Sequence, residues 1–566
     1  TSPHLTSPHL TSPHLTSHHI TSHHLTPGDD DPELESIITK RAELYTKLGR
    51  YKDARASYDE ALRLREPYTE WVYGLNKEFL AHNLTQDELS LFFLTDLSNK
   101  RNELFDTYET IANLSYLARR LRGENIERIE LYGVDDAFFE SACSIFPGAR
   151  AVRVRPSQER VRLVRRVLAD FLYFCRVLGV IVINKFHRKL KRSGEKEAKK
   201  RYFFSFFPQM FDAQLSELRY RDMVGPKDAY IVTIIADGMH QKIPTIRYER
   251  LARSLPSDKF VLIDREFRIR GLLEAVRRYW SVHQYVARSR RSRYVFQGIN
   301  ISRYIRQELL WSAGRIGRLT VVEEALNRTL AKLQVTELVY PIFEFAFGRM
   351  ISALIGEKYR GIVRTGFNHG DYSWRFINYF LAKGEASSKP PYLNHCPIPD
   401  KVLAEDQLCS EIYRYNGYCN VSIMENVTRL DYLQKIKAKK LDDFSLIVAG
   451  LHDGEALAAY IRETVEKKPE IRFLFKPHPR ASNLYLKTLP LIPNFEVVDS
   501  PIKDLLEFVG QVYVTYSGVG VEAARLGIPT TLVHIPGRIS WSKLLDYQDD
   551  QFGETNMLLG SEGGSR

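Results

Sequence analysis

Through the C-terminal part of the chain, short runs rich in β-branched and aromatic residues return at 444–450, 471–476, 495–499, 511–516 and 530–535. Strand-like runs that keep restarting in this way specify an α/β unit. Open sheets of that kind bind their ligands in loops leaving the carboxyl ends of the strands. Two such loops stand out: Phe475-Lys-Pro-His-Pro-Arg480 and, about forty residues on, Tyr516-Ser-Gly-Val-Gly-Val-Glu-Ala-Ala-Arg-Leu-Gly-Ile-Pro529.

In the second loop Ser517, Gly518 and Gly520 open a turn, and Val521 to Leu526 reads as a helix whose first amides would face a phosphate. Glu522, four residues past Gly518, is placed to accept hydrogen bonds from ribose hydroxyls. In the first loop Pro477 and Pro479 fix the backbone on both sides of His478, with Lys476 and Arg480 beside the imidazole. A lone His-Pro is an ordinary loop. The two loops together predict a cationic, amide-rich cradle for a diphosphate or a monophosphate ester.

The pair Lys-Pro-His-Pro-Arg and Ser-Gly-x-Gly-x-Glu-Ala-x-x-x-Gly-x-Pro resembles the nucleotide-binding half of GT-B glycosyltransferases that build bacterial surface polysaccharides, capsule and lipopolysaccharide. The likeness is to capsule-type Kdo transferases and CMP-sialic-acid-using enzymes, and more distantly to polyglycerolphosphate transferases. It covers residues 444–535 most strongly. It implies that His478, Pro479, Ser517 and Gly518 contact the donor phosphate and nucleotide, with Glu522 on the ribose. Phe203-Phe-Ser-Phe-Phe-Pro208, followed by Tyr220-Arg-Asp222, is similar to a segment of surface carbohydrate biosynthesis proteins.

At 566 residues and 44% hydrophobic content the chain has room for several folded cores. A formal charge of +12 suits nucleic acid, anionic lipid or an anionic substrate. No aromatic-and-basic RNA signature, zinc spacing or helix-turn-helix is present, so nucleic acid ranks last. The five cysteines, Cys143, Cys175, Cys396, Cys409 and Cys419, form no Cys-x-x-Cys or disulfide framework. With no signal-peptide pattern in the sequence, the expected compartment is the cytoplasm, with peripheral contact on the inner face of the cytoplasmic membrane.

Residues 1–32 are expected to be a disordered tail built on five pentamers such as Thr-Ser-Pro-His-Leu, which hold seven of the sixteen histidines. Residues 33–122 read as helical. Leu44, Tyr45, Gly49, Tyr51, Ala54, Tyr58, Ala61 and Leu62 match the tetratricopeptide pattern. One repeat is too few for a solenoid, so this region is either a cap on the catalytic domain or a docking surface for a protein partner.

Residues 123–400 are read as an N-terminal Rossmann-like acceptor domain with a basic and apolar helical insertion at about 157–200, and 401–550 as the nucleotide-sugar-binding domain. Residues 551–566 are read as a flexible tail. Within the insertion, Val161 to Phe186 is apolar with basic flanks, which fits either an interfacial amphipathic helix or a buried one. The stretch 270–360 reads as mostly helical. The expected fold is α/β, two Rossmann-like domains of GT-B type facing across a cleft behind a tetratricopeptide-like region.

Loops of the first lobe should carry the base. His369, in Asn368-His-Gly-Asp371, leaves the strand-like run at 361–367 with Asp371 close by; its alternative is a cap on the next helix. Asp237, in Ala236-Asp-Gly-Met-His240, is a second candidate, as base or as nucleophile. Glu344 and Asp222 are weaker. No Asp-x-Asp stands in a strand-end loop, so catalysis is expected to need no metal and no cofactor beyond the donor.

The expected reaction moves a Kdo- or nonulosonate-type sugar from a CMP-linked donor to a glycan or lipid-linked glycan acceptor. Competing readings are a CDP-polyol phosphotransferase, a nucleotide-sugar epimerase, and a tetratricopeptide-type scaffold with a silent α/β part.

Overall fold

The computed structural model describes residues 20–22, 60–102, 104–122, 129–155, 159–187, 200–220, 223–235, 245–289, 294–342, 346–368, 370, 372–425, 427–437, 441–479, 481, 484–488, 492–535, 538–547 and 556–559. The helices ahead of the first large sheet include α1 (Thr107–Arg120) and α2 (Glu159–His187). Then come β1 (Lys200–Phe206), β2 (Ala229–Thr233), β3 (Phe260–Leu262), α3 (Ile269–Arg288), α4 (Ser302–Leu330) and β4 (Val335–Pro341). The lobe closes with α5 (Phe347–Lys358), β5 (Val363–Phe367), β6 (Lys401–Ala404) and β7 (Val421–Ile423). These strands form one seven-stranded parallel sheet in the order β7-β6-β5-β4-β1-β2-β3.

The interior strand β1 reads Lys-Arg-Tyr-Phe-Phe-Ser-Phe, and its last five residues are all buried. A parallel strand covered on both faces must be apolar without alternation, which explains the aromatic run. Helix α4 is buried nearly all round. Its inward arginines are balanced: Arg315 Nε donates to Asp96 at 2.9 Å, and Arg318 to Asp170. Buried guanidinium groups are tolerated only with such partners.

The second lobe contains β8 (Leu441–Val448), α6 (Gly454–Glu466), β9 (Arg472–Lys476), β10 (Phe495–Val497), β11 (Val509–Val514), α7 (Val519–Arg525), β12 (Thr530–His534) and β13 (Asn556–Leu559). Its six parallel strands lie in the order β10-β9-β8-β11-β12-β13, which counted from β8 is the 3-2-1-4-5-6 order of Rossmann sheets. Leu446 and Val448 pack into one core and Ile447 and Ala449 into the other, as the two-residue strand period requires.

A strap at 538–547 runs from the second lobe back onto the first. Ile539 is buried in the first-lobe core. Lys543 is fully buried and donates to Asp406, with Glu405 at 3.9 Å. Asp546 accepts from the Trp374 N–H at 2.8 Å and from Arg375.

Several boundaries differ from the sequence reading. Lys401–Ala404 and Val421–Ile423 extend the first sheet, so the second lobe begins near 441 and not at 401. Ile129–Asp135 and Ala149–Arg155 pair with each other in a separate small sheet and not within the acceptor-lobe sheet. That small sheet also takes Ile20–Ser22 from the expected disordered tail. Within 551–566, Asn556–Leu559 is no loose tail but pairs in parallel with β12. The stretch 270–360 is mostly helical, as expected, with strand β4 between α4 and α5. Of the tetratricopeptide positions, those from Leu44 to Tyr58 lie outside the described residues. The helix at 60–74 and Asn76–Ala81 place Ala61, Leu64, Tyr68 and Phe79 in the first-lobe core, as a cap would.

Candidate functional site

In the second sheet the strand order reverses between β8 and β11, and a partly open cavity lies at the carboxyl ends of those strands. A reversal leaves neighbouring loops turning in opposite directions, and the crevice between them is where such sheets bind ligands. The loop after β8 contributes His452 and Asp453, and the loop after β11 contributes Thr515 and Tyr516. The strap supplies Arg538 to Trp541, and Asn102 closes the cavity from the first lobe.

Asp453 is 7% exposed. Burial pushes its carboxyl up to about 6, against the opposing pull of the Thr515 hydroxyl, which donates to it, and of the Arg538 charge. Arg538 is held by two carboxylates of the first lobe, Glu109 at 3.2 Å and Asp106 at 3.6 Å, which raise its guanidinium further above its ordinary range. Glu109 is itself buried, and burial drives its carboxyl upward.

The wall opposite is aromatic. Trp541 lies 4.7 Å from Tyr516, centroid to centroid, and stacks on Phe376 at 5.3 Å and 21°. The Tyr516 hydroxyl accepts from the His452 N–H at 3.0 Å. Gly450 makes room for this ring, since a Cβ there would fall 2.5 Å from it. A flat aromatic wall, a buried carboxylate and a guanidinium offer a base a stacking surface, sugar hydroxyls an acceptor and a phosphate a cation.

The residues expected from sequence lie along the same sheet edge but outside the cavity wall. Lys476 ends β9; it is buried and donates to Asp499 at 3.0 Å. His478 is half-buried and Pro479 exposed, one strand over from Asp453. Ser517 directly follows the wall residue Tyr516, and its hydroxyl accepts from the Val519 N–H at 3.4 Å. Gly518 is the N-cap residue of α7, which starts at Val519, two residues earlier than expected. Gly520 is buried, and an added Cβ would lie 2.7 Å from Val514 Cγ2, so this glycine lets α7 approach β11. The Glu522 carboxylate, expected on a ribose, accepts from the Tyr432 hydroxyl.

His369, Asp371, Asp237 and Arg480 lie outside the described residues, as do Glu344 and Asp222. The root of the His369 loop is fixed at the carboxyl end of β5. Asn368 is buried, donates to the Gly370 carbonyl at 3.0 Å and accepts from the Glu405 N–H at 3.1 Å. Among the described residues, no group of three or more His, Cys, Asp and Glu side chains could hold a metal ion.

Sequence reasoning missed Asp453, Arg538 and Trp541. Asp453 had a signal: Gly450-Leu-His-Asp-Gly454 leaves a strand through glycines, as the loop at 516–529 does. Arg538 and Trp541 had none, because their place depends on the strap folding back.

No family model and no curated protein matches the chain. Among solved structures it is similar to a UDP-GlcNAc 2-epimerase from Neisseria meningitidis bound to UDP-GlcNAc, at 10% identity over 59% of this chain and 82% of that one, with a TM-score of 0.31. It is also similar to Phytolacca americana UGT2 complexed with UDP-2fluoro-glucose and pterostilbene, at 12% identity over 61% and 81%, with a TM-score of 0.31. The β-Kdo 2,4-transferase KpsC of Thermosulfurimonas dismutans aligns at 17% identity over 23% of this chain and 50% of that one, with a TM-score of 0.16. All three scores are low, and the two-lobed architecture rests on the chain's own parallel sheets.

Proposed function

We propose that the chain is a GT-B glycosyltransferase. It holds a nucleotide-activated sugar in the switch-point cavity of the second lobe and transfers the sugar to a surface glycan or lipid-linked glycan. The observation that carries this reading is the cavity itself: a buried carboxylate, a guanidinium and an aromatic wall at the strand reversal of a 3-2-1-4-5-6 sheet, closed from the other lobe. The donor we favour is a CMP-linked Kdo- or nonulosonate-type acid, from the motif resemblance at 475–480 and 516–529.

In this reading Trp541 and Tyr516 take the base, Asp453 the ribose hydroxyls, and Arg538, with His478 and the Ser517 loop, the phosphate. The acceptor hydroxyl oxygen bonds to the anomeric carbon as the bond from that carbon to the phosphate oxygen breaks. His369, in the chain that follows β5 with Asp371 two residues on in sequence, takes the hydroxyl proton, and CMP leaves as the monophosphate ester. Asp237, in the chain that follows β2, is the alternative base, or the nucleophile of a double displacement. No metal is required for a leaving monophosphate met by cationic and amide donors. The enzyme would work on the cytoplasmic side, where activated sugars are made.

The test is product mass with CMP-activated acids and a glycan acceptor, with and without EDTA. Addition of one sugar acid, unaffected by EDTA, is the expected result. A phosphodiester product, conversion of the donor without acceptor, or loss of activity on chelation would each overturn part of the assignment.

A further inference from the structure

Helix α2 carries exposed apolar residues at Val161, Val164, Leu168, Phe171, Leu172, Leu178 and Val182, which recur at helical spacing along one face. Helix α3 has a matching stripe, Ile269, Leu273, Val276 and Trp280, with Leu273 63% and Trp280 60% exposed. The two helices meet where Phe174 and Tyr279 pack edge to face at 5.9 Å, beside both stripes. An apolar surface spread over two packed helices exceeds the scattered exposed residues of ordinary protein surfaces.

Charge on this surface has one sign. From 161 to 185 the only acidic residue is Asp170, which is buried and bound by Arg318 and Arg166. Arg165 and Lys185 are exposed on α2. On α3, Arg270, Arg277 and Arg288 lie along one edge of the stripe, and the acid there, Glu274, is taken by Arg277 and Arg278. Leu163–Lys185 is long and apolar enough to cross a membrane. Its other face, however, is committed to α4 through Asp170 and the buried Tyr173 and Val177, so it lies along a surface and does not span one.

We propose that the α2–α3 platform docks on a lipid bilayer with anionic head groups. Phe171, Leu273 and Trp280 enter the acyl boundary, and the arginines sit at the phosphate level. This placement does not depend on the nucleotide reading.

The experiment is co-sedimentation of the full chain with phosphatidylcholine vesicles, with and without one-third phosphatidylglycerol, and sedimentation velocity without lipid. The wild type should bind the anionic vesicles at least about tenfold more than the neutral ones. Leu273→Gln with Trp280→Gln, both at exposed positions, should lose at least about tenfold in binding, and Arg165→Glu with Arg270→Glu should remove the anionic preference. Absence of vesicle binding, unchanged binding in the apolar variant, or a dimer that the same variant dissociates while lipid is ignored would overturn the proposal.

Discussion

The Glu109 carboxylate on α1 lies 3.2 Å from the Arg538 guanidinium of the strap, and the same carboxylate accepts the Ile539 N–H at 2.7 Å. One acid of the first lobe therefore holds the loop that closes the second lobe's cavity. Removing it leaves the buried Ile539 amide without its acceptor and leaves the partly buried Arg538 guanidinium with Asp106 alone. Glu109→Ala should lower stability by about 3 kcal/mol in urea unfolding. It should also weaken nucleotide binding, because Arg538 loses the nearer of its two anchors.

Asp453 provides a pH test. Its folded-state value, raised to about 6 from 3.8, means that the folded chain binds the proton more tightly than the unfolded one. The stabilising contribution is fully present below about 3.8 and is lost as pH rises through about 6. Asp453→Asn abolishes this titration. Relative to wild type, the variant should gain about 2 kcal/mol between pH 4 and pH 7.5 in denaturant unfolding, and lose nucleotide binding. A constant difference across that range would show that the carboxyl is not perturbed.

Gly520 is assigned to packing and not to phosphate contact. Gly520→Ala should destabilise by about 1–3 kcal/mol, from the clash of its Cβ with Val514 and Leu544. Nucleotide affinity of the folded variant should stay within a few-fold of wild type. A large affinity loss with normal stability would return Gly520 to the binding site.

Trp541 is assigned to base stacking. Trp541→Ala should weaken nucleotide binding about tenfold or more, the cost of one lost aromatic face. Phe376, which lies behind Trp541, should show a smaller loss on substitution by leucine. Equal losses would mean that the aromatic stack supports the lobes and not the ligand.

The second lobe was legible because β8, β9, β11 and β12 each carry a short buried run rich in β-branched and aromatic residues, and the expected positions overlap the observed ones. The first lobe was less so. Lys401–Ala404 is four residues long and Val421–Ile423 is mostly exposed, so neither carries a periodic signal, and both were assigned past the domain boundary. The aromatic run at 203–207 falls largely in the interior strand β1, whose burial on both faces accounts for it. The glycine-bearing loop at 516–529 and the cavity lie at the same sheet edge. The walls that define the cavity, Arg538 and Trp541, depend on the strap crossing between lobes, a long-range placement without local signature.

The most direct test of the central claim is titration calorimetry of CMP, CDP, UDP, GDP and ADP against wild type, Trp541→Ala and His478→Ala. The account predicts that CMP binds to the wild type and that both variants lose affinity. Silence across the nucleotides, or binding that is indifferent to Trp541, would contradict the switch-point cavity as a nucleotide site.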